Sequence, residues 1–118
     1  MEEAELAEVV AGLAASGLLD DERFARRFAE DKRELRAWGP DRIAEALRAR
    51  GVEEPLIDAA LAEEDGERVV IRAVEVLADN GVAPVDERSR ARALSLLARR
   101  GYPLEIAYDA VREMERNG

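Results

Sequence analysis

Side chains able to do covalent chemistry are scarce in this sequence. It contains no histidine and no cysteine, which removes the commonest general base and a strong nucleophile. Ser16, Ser89 and Ser95 have no base near them in the chain. No glycine-rich phosphate loop follows a strand-like segment. Asp79-Asn80-Gly81 begins like a calcium loop, but alternating acidic ligands and a closing glutamate do not follow at the required spacing. That segment reads as a turn. Glu63-Glu64-Asp65 reads as a solvated acidic helix end rather than a cation site. Carboxylates are plentiful, so carboxylate catalysis is the one enzymatic route left open. The expected class is a binding protein, with no catalytic residue, metal or cofactor.

Arginine is the side chain left to do recognition. The net charge of −9 argues against a protein that wraps nucleic acid, because affinity there comes from cations that release condensed counterions. The charge is uneven, however. Acids crowd Glu2 to Glu8 and Glu53 to Glu67, whereas Arg88, Arg90, Arg92, Arg99 and Arg100 face only Asp86 and Glu87. A local basic face survives an acidic total, although such a run also serves to solvate a helix. Trp38 either covers a joint between helices or stacks on a partner.

The elements that position these residues are helical. With 118 residues the chain fits one domain by length, and 47% of it is hydrophobic. Alanine supplies much of that fraction, favouring helix while burying little area. Only Phe24, Phe28, Trp38, Tyr102 and Tyr108 are aromatic, so the core should be aliphatic. The lack of cysteine rules out disulfides. No apolar run approaches the roughly 20 residues of a membrane helix, and MEEAELAEVV is acidic where a signal peptide is basic. A soluble, cytoplasmic protein is expected.

The stretch from Leu18 to Leu61 predicts three helices. Asp20 is a good N-cap, and Phe24, Phe28 and Leu35 are the expected contacts of the helix it starts. Gly39-Pro40 breaks that helix and opens the next, which runs to Arg50 with Ile43 and Leu47 inward. Gly51 then Val52 suggests a cap and a hydrophobic latch. Pro55 opens a third helix to about Glu64. Ahead of these, Leu6, Val9, Val10 and Leu13 form one stripe on a helix from Glu3 to Ala15, ended by Ser16-Gly17. Gly66 to Asn80 is ambiguous, since VVIRAVEV also alternates like a strand. No second strand exists to pair with it, so helix is expected. Asp86 caps a helix to Arg100 with Leu94 and Leu97 inward. Pro103 opens the last, with Leu104, Ala107, Val111 and Met114 on one face.

The chain also repeats itself. Leu47-Arg48-Ala49-Arg50-Gly51-Val52 returns fifty positions later as Leu97-Ala98-Arg99-Arg100-Gly101-Tyr102, and Leu56, Ala60 and Leu61 map onto Ile106, Ala110 and Val111. These spacings predict an all-α protein of about seven helices in tandem three-helix repeats. Residues 1–17 are the last helix of an incomplete first repeat, 18–64 a second repeat and 65–118 a third.

Leu19-Asp20-Asp21-Glu22-Arg23-Phe24-Ala25-Arg26-Arg27-Phe28 resembles the signature of the RecX family, regulators of the bacterial RecA recombinase. So does Gly39-Pro40-Asp41-Arg42-Ile43 followed by Leu47, Arg50-Gly51-Val52 and Ile57. Leu97 to Tyr102 resembles the family's final repeat. The likeness is strongest from Leu18 to Leu61 and weaker between Asp65 and Glu87. The connector Arg33 to Trp38 is about one residue longer than the usual pattern, and the first repeat is less full than usual.

The resemblance implies an elongated, curved array that binds the RecA–single-stranded DNA filament and limits its growth, lowering recombination and the SOS response. Short repeats that contact only their neighbours suit a helical groove. Under this resemblance the expected contacts are Arg26, Arg27, Arg33, Trp38, Arg42, Arg48, Arg50, Arg99 and Arg100, with Phe24, Phe28, Ile43, Leu47, Leu94 and Leu97 in the core. The protein is expected to be a monomer that touches single-stranded DNA only weakly or indirectly and no membrane. The rival readings are a small helix-turn-helix-like DNA-binding module and a helical scaffold for another protein.

Overall fold

The computed structural model describes residues 8–117 and is all-helical across them. Six helices follow one another: α1 Glu8–Arg36, α2 Pro40–Ala49, α3 Glu54–Leu61, α4 Gly66–Asp79, α5 Glu87–Arg99 and α6 Leu104–Asn117. The principal helix packing lies within α1–α3 or within α4–α6, and in each trio the first helix packs mainly on the third. The result is a rod of 61 × 21 × 19 Å. No described helix is long and apolar enough to cross a membrane.

Each trio closes its own hydrophobic cluster. Ile43, Leu47 and Ile57 centre the first, and Leu77 and Leu97 the second; all five are fully buried. Burying a side chain of this size is worth about 1.5–3 kcal/mol. The fifty-residue repeat holds in burial as well as in letters. Leu47 and Leu97 are both buried, as are Ile57 and Ala107, and Ala60 and Ala110.

The stretch from Gly66 is a helix, and its burial shows why. Val69, Ala73, Val76 and Leu77 face inward at helical spacing while Ile71 stays exposed, a period of 3.6 rather than 2. Asp65 caps it by accepting from the Arg68 N–H.

Two expectations at α1 are overturned. The helix runs unbroken through Ser16-Gly17, so Asp20 sits inside it and caps nothing. One glycine in a helix interior costs about 1 kcal/mol relative to alanine, and a 29-residue helix tolerates it. The docking face also differs. Ala25 and Ala29 are completely buried, whereas Phe24 is 43% and Leu35 77% exposed, and Phe28 is half-buried. Small residues at i and i+4 let α1 lie close to α3, and that proximity leaves the larger neighbours at the edge. On α6, Leu104 is likewise exposed while Ala107, Ala110 and Val111 point inward. Leu6 lies outside the described residues, as do the side chains of Val9, Val10 and Leu13.

Candidate functional site

The two trios meet end to end. Gly39 is the N-cap of α2 and has no side chain to cap it. Its N–H donates instead to Arg100 O at 2.8 Å, and the Asp41 N–H donates to Gly101 O at 2.8 Å. Pro40 has no N–H to satisfy. The carbonyls of the two residues that follow α5 thus serve the orphan donors of α2, and the negative end of one helix dipole faces the positive end of another. Contact this close requires two glycines. A Cβ on Gly39 would overlap Gly101 O and lie 2.7 Å from Tyr102 Cγ; one on Gly101 would overlap the Arg42 side chain and lie 2.6 Å from the Arg42 nitrogen.

A polar hub closes the joint from the other side of Trp38. Arg72 donates from Nη2 to Trp38 O at 3.2 Å and from Nε to the Tyr102 hydroxyl at 3.2 Å, and it pairs through Nη1 with Glu64. The Tyr102 hydroxyl donates to Ala37 O at 2.7 Å. Arg33 reaches the same carboxylate: its Nε lies 3.1 Å from Glu64 Oε1 without making a hydrogen bond, while Nη2 donates to Ala60 O at 3.0 Å. Burial works against the Arg72 charge, but Glu64 and Tyr102 together hold its pKa above the ordinary arginine value. Burial likewise pushes the Tyr102 hydroxyl above the usual phenol range, against the pull of Arg72. The phenol therefore remains a donor.

Beside this hub runs a ladder of rings and cations. Phe24 and Phe28 are 5.7 Å apart between centroids, and Phe28 meets Trp38 edge-on at 6.3 Å. Lys32 sits between the last two, 5.2 Å from the Phe28 centroid and 4.9 Å from that of Trp38. The Arg42 guanidinium lies 4.3 Å over Trp38, and that of Arg50 4.7 Å over Phe28. Arg42 also reaches across the joint to Arg99 O at 3.5 Å. Stacking of this kind orients a cation and leaves its donors available.

The residues expected to bind a partner fall into two sets. Arg26 pairs with Glu22 at 3.3 Å and lies 3.6 Å from Glu63, Arg48 forks onto Glu54, and Arg33 is turned inward to Glu64. The Glu54 carboxyl is held below the usual range by its hydrogen bonds from Arg48. By contrast, Arg27, Arg42, Arg50, Arg99 and Arg100 pair with no carboxylate among the described residues. Lys32 is the same. Arg36, Arg68, Arg88 and Arg92 also pair with no carboxylate among the described residues, so what sets Lys32, Arg42 and Arg50 apart is their stacking on rings. Arg42, Arg50, Lys32 and Trp38 come together on the ladder, and Arg99 and Arg100 join them through the joint.

Sequence reasoning missed Lys32, Arg72, Glu64 and Tyr102. Lys32 stands four residues after Phe28, a spacing that shares a helix face. Arg72 is the lone charge in Val69-Val70-Ile71-Arg72-Ala73-Val74, a pattern that signals a buried, partnered cation. Glu63-Glu64-Asp65 is no solvated helix end at Glu64, which two arginines occupy. Among the described residues no group of acids is arranged to hold a metal ion.

Comparison with known proteins settles the family. A profile of the RecX second three-helix domain matches residues 20–61, from within α1 to the end of α3. The protein named Regulatory protein RecX in Thermus thermophilus is 34% identical over 118 residues, covering 98% of this chain and 75% of the relative. This chain belongs to the RecX family. Proteins of the same name from Mycolicibacterium smegmatis and Halorhodospira halophila are 33% and 39% identical, over 89% and 80% of this chain. The chain spans 60% and 58% of the length of those two RecX relatives. No solved structure matches.

Proposed function

We infer that this RecX-family chain is a non-enzymatic regulator of RecA. It binds the RecA–single-stranded DNA filament and limits its growth, and so modulates recombination, DNA repair and the SOS response. Residues 18–64 and 65–118 act as the second and third repeats, with α1 carried across the boundary from residues 1–17. The chain works as a cytoplasmic monomer. The observation that carries this reading beyond family membership is the set of ring-stacked cations beside the joint, Lys32, Arg42 and Arg50, which pair with no carboxylate among the described residues. In an acidic protein such cations offer themselves to an external anionic surface and set its register, while the adjoining aromatic edge supplies contact area. The paired residues Arg26, Arg33 and Arg48 support the fold or the rim.

The test is RecA's ATP hydrolysis on single-stranded DNA, titrated with this chain, alongside DNA binding without RecA. Loss of hydrolysis at substoichiometric chain, with little binding to free DNA, is expected. Arg42→Ala and Arg50→Ala should each weaken that loss, and Arg48→Ala should not. The interleaving of rings and cations also fits a single-strand binder. Tight, steeply salt-dependent binding to DNA alone, with hydrolysis untouched, would replace the RecA reading with that one.

A further inference from the structure

We propose that Tyr102 is a positioning residue: its hydroxyl latches the two helical trios into one rigid body and so fixes the distance between their basic residues. The proposal goes beyond the RecA reading and does not depend on it.

The internal repeat supplies the argument. Val52 and Tyr102 occupy equivalent places, each directly after a capping glycine. Each N–H closes the same cap, Val52 onto Leu47 O at 3.1 Å and Tyr102 onto Leu97 O at 2.9 Å. Val52 is 6% exposed and completes its own trio's cluster. A valine is thus enough to latch a cap of this kind. What tyrosine adds is a phenol that leaves its own trio. It donates to Ala37 O and accepts from Arg72, which in turn holds Trp38 O.

The joint needs such a device. The two buried clusters share no member, so no common hydrophobic core spans the trios. Two inter-trio backbone hydrogen bonds, at Gly39 and Asp41, would by themselves leave a pivot. The phenol and the Arg72 fork place further bonds away from that pivot, which blocks rotation about it. Arg42 and Arg50 are then held at one separation from Arg99 and Arg100.

The chain has no cysteine, so spin labels can be placed at Glu45→Cys on α2 and Glu105→Cys on α6, both exposed. Pulsed dipolar spectroscopy on the full chain should give one narrow distance. Tyr102→Phe keeps the ring and removes the hydroxyl; it should broaden the distribution while helical content by circular dichroism stays the same. Tyr102→Val, which copies Val52, should broaden it further. Gly39→Ala should move the mean outward. If Tyr102→Phe leaves the distance as narrow as before, the latch is refuted. If it instead lowers helical content, the hydroxyl supports its own trio and the proposal also fails. Tyr102→Phe decides the matter should Gly39→Ala not fold. The measurement uses no RecA, so its outcome is independent of the proposed function.

Discussion

Helices α2 and α5 occupy the same place in their trios and end in the same cap, yet their ends have different fates. Gly51, after α2, has φ +85° and open space around it; Gly101, after α5, has φ +94° and packs against Arg42. Their starts differ in the complementary sense. Asp86 caps α5 internally, accepting from the Ser89 N–H at 2.8 Å while the Asp86 N–H donates to Ser89 Oγ at 3.0 Å. α2 starts at a bare glycine and borrows its cap from α5. A repeat unit can therefore keep its core while its helix ends differ, one standing open and another linking to the neighbouring unit.

The largest effect should separate the two glycines. Gly51→Ala places a side chain in the left-handed region, which costs about 1–2 kcal/mol. Gly101→Ala carries the same strain and adds an overlap with Arg42, with overpacking worth a further roughly 1–3 kcal/mol. Urea denaturation of the two variants checks this, and equal destabilisation would show that the joint does not hold in solution.

Next comes the contrast between ion pairs. Arg72 bridges Glu64, Tyr102 and Trp38 with its side chain 11% exposed. Removing one partner of a buried pair costs about 3–5 kcal/mol. Arg33 remains to hold Glu64, so Arg72→Met should cost somewhat less, about 2–4 kcal/mol. Arg48→Met breaks a fork of two exposed side chains, and its unfolding midpoint should not move.

A smaller effect distinguishes the two helix starts by pH. Hydrogen bonds from Ser89 hold the Asp86 carboxyl below the ordinary aspartate value. Its contribution is complete above that ordinary value and is lost as pH falls through the lower folded one. At α2, burial and then Glu45 push the Asp41 carboxyl upward. Asp41 therefore contributes stability below the ordinary value, and that contribution is lost as pH rises through the folded one. In unfolding experiments across the acid range, Asp86→Asn should flatten the loss just below the ordinary aspartate pKa. Asp41→Asn should remove a loss of opposite sign just above it.

The smallest effect lies at the end of α1. Ala37 holds φ +55°, a position that glycine normally fills, while Trp38 N–H closes onto Lys32 O at 3.1 Å. Ala37→Gly relieves that strain but removes a half-buried methyl group packed on the second cluster and loosens the unfolded chain. The net change in thermal midpoint should be near zero, well below that of Gly101→Ala.

Cap chemistry and hydrophobic period are written within a few residues of where they act. Asp86, Gly51-Val52, Gly101-Tyr102 and the spacing of Val69, Ala73 and Leu77 are therefore readable from the chain. The same local grammar carries the all-α class, the repeat and the RecX resemblance. The choice of α1 face was not readable, because Phe24 and Ala25 sit side by side and only the approach of α3 decides which is buried. The unbroken run through Ser16-Gly17 was equally out of reach, since local propensity there permits both outcomes. Above all, the side chains that close the joint depended on partners distant in the chain. Arg33 found Ala60 at a separation of 27 residues, Arg72 found Tyr102 at 30, and Tyr102 found Ala37 at 65. Charge attracts without regard to sequence distance, and an acidic chain offers every arginine many carboxylates. Only the packed trios decide which cations are neutralised at the joint and which stack on Phe28 and Trp38.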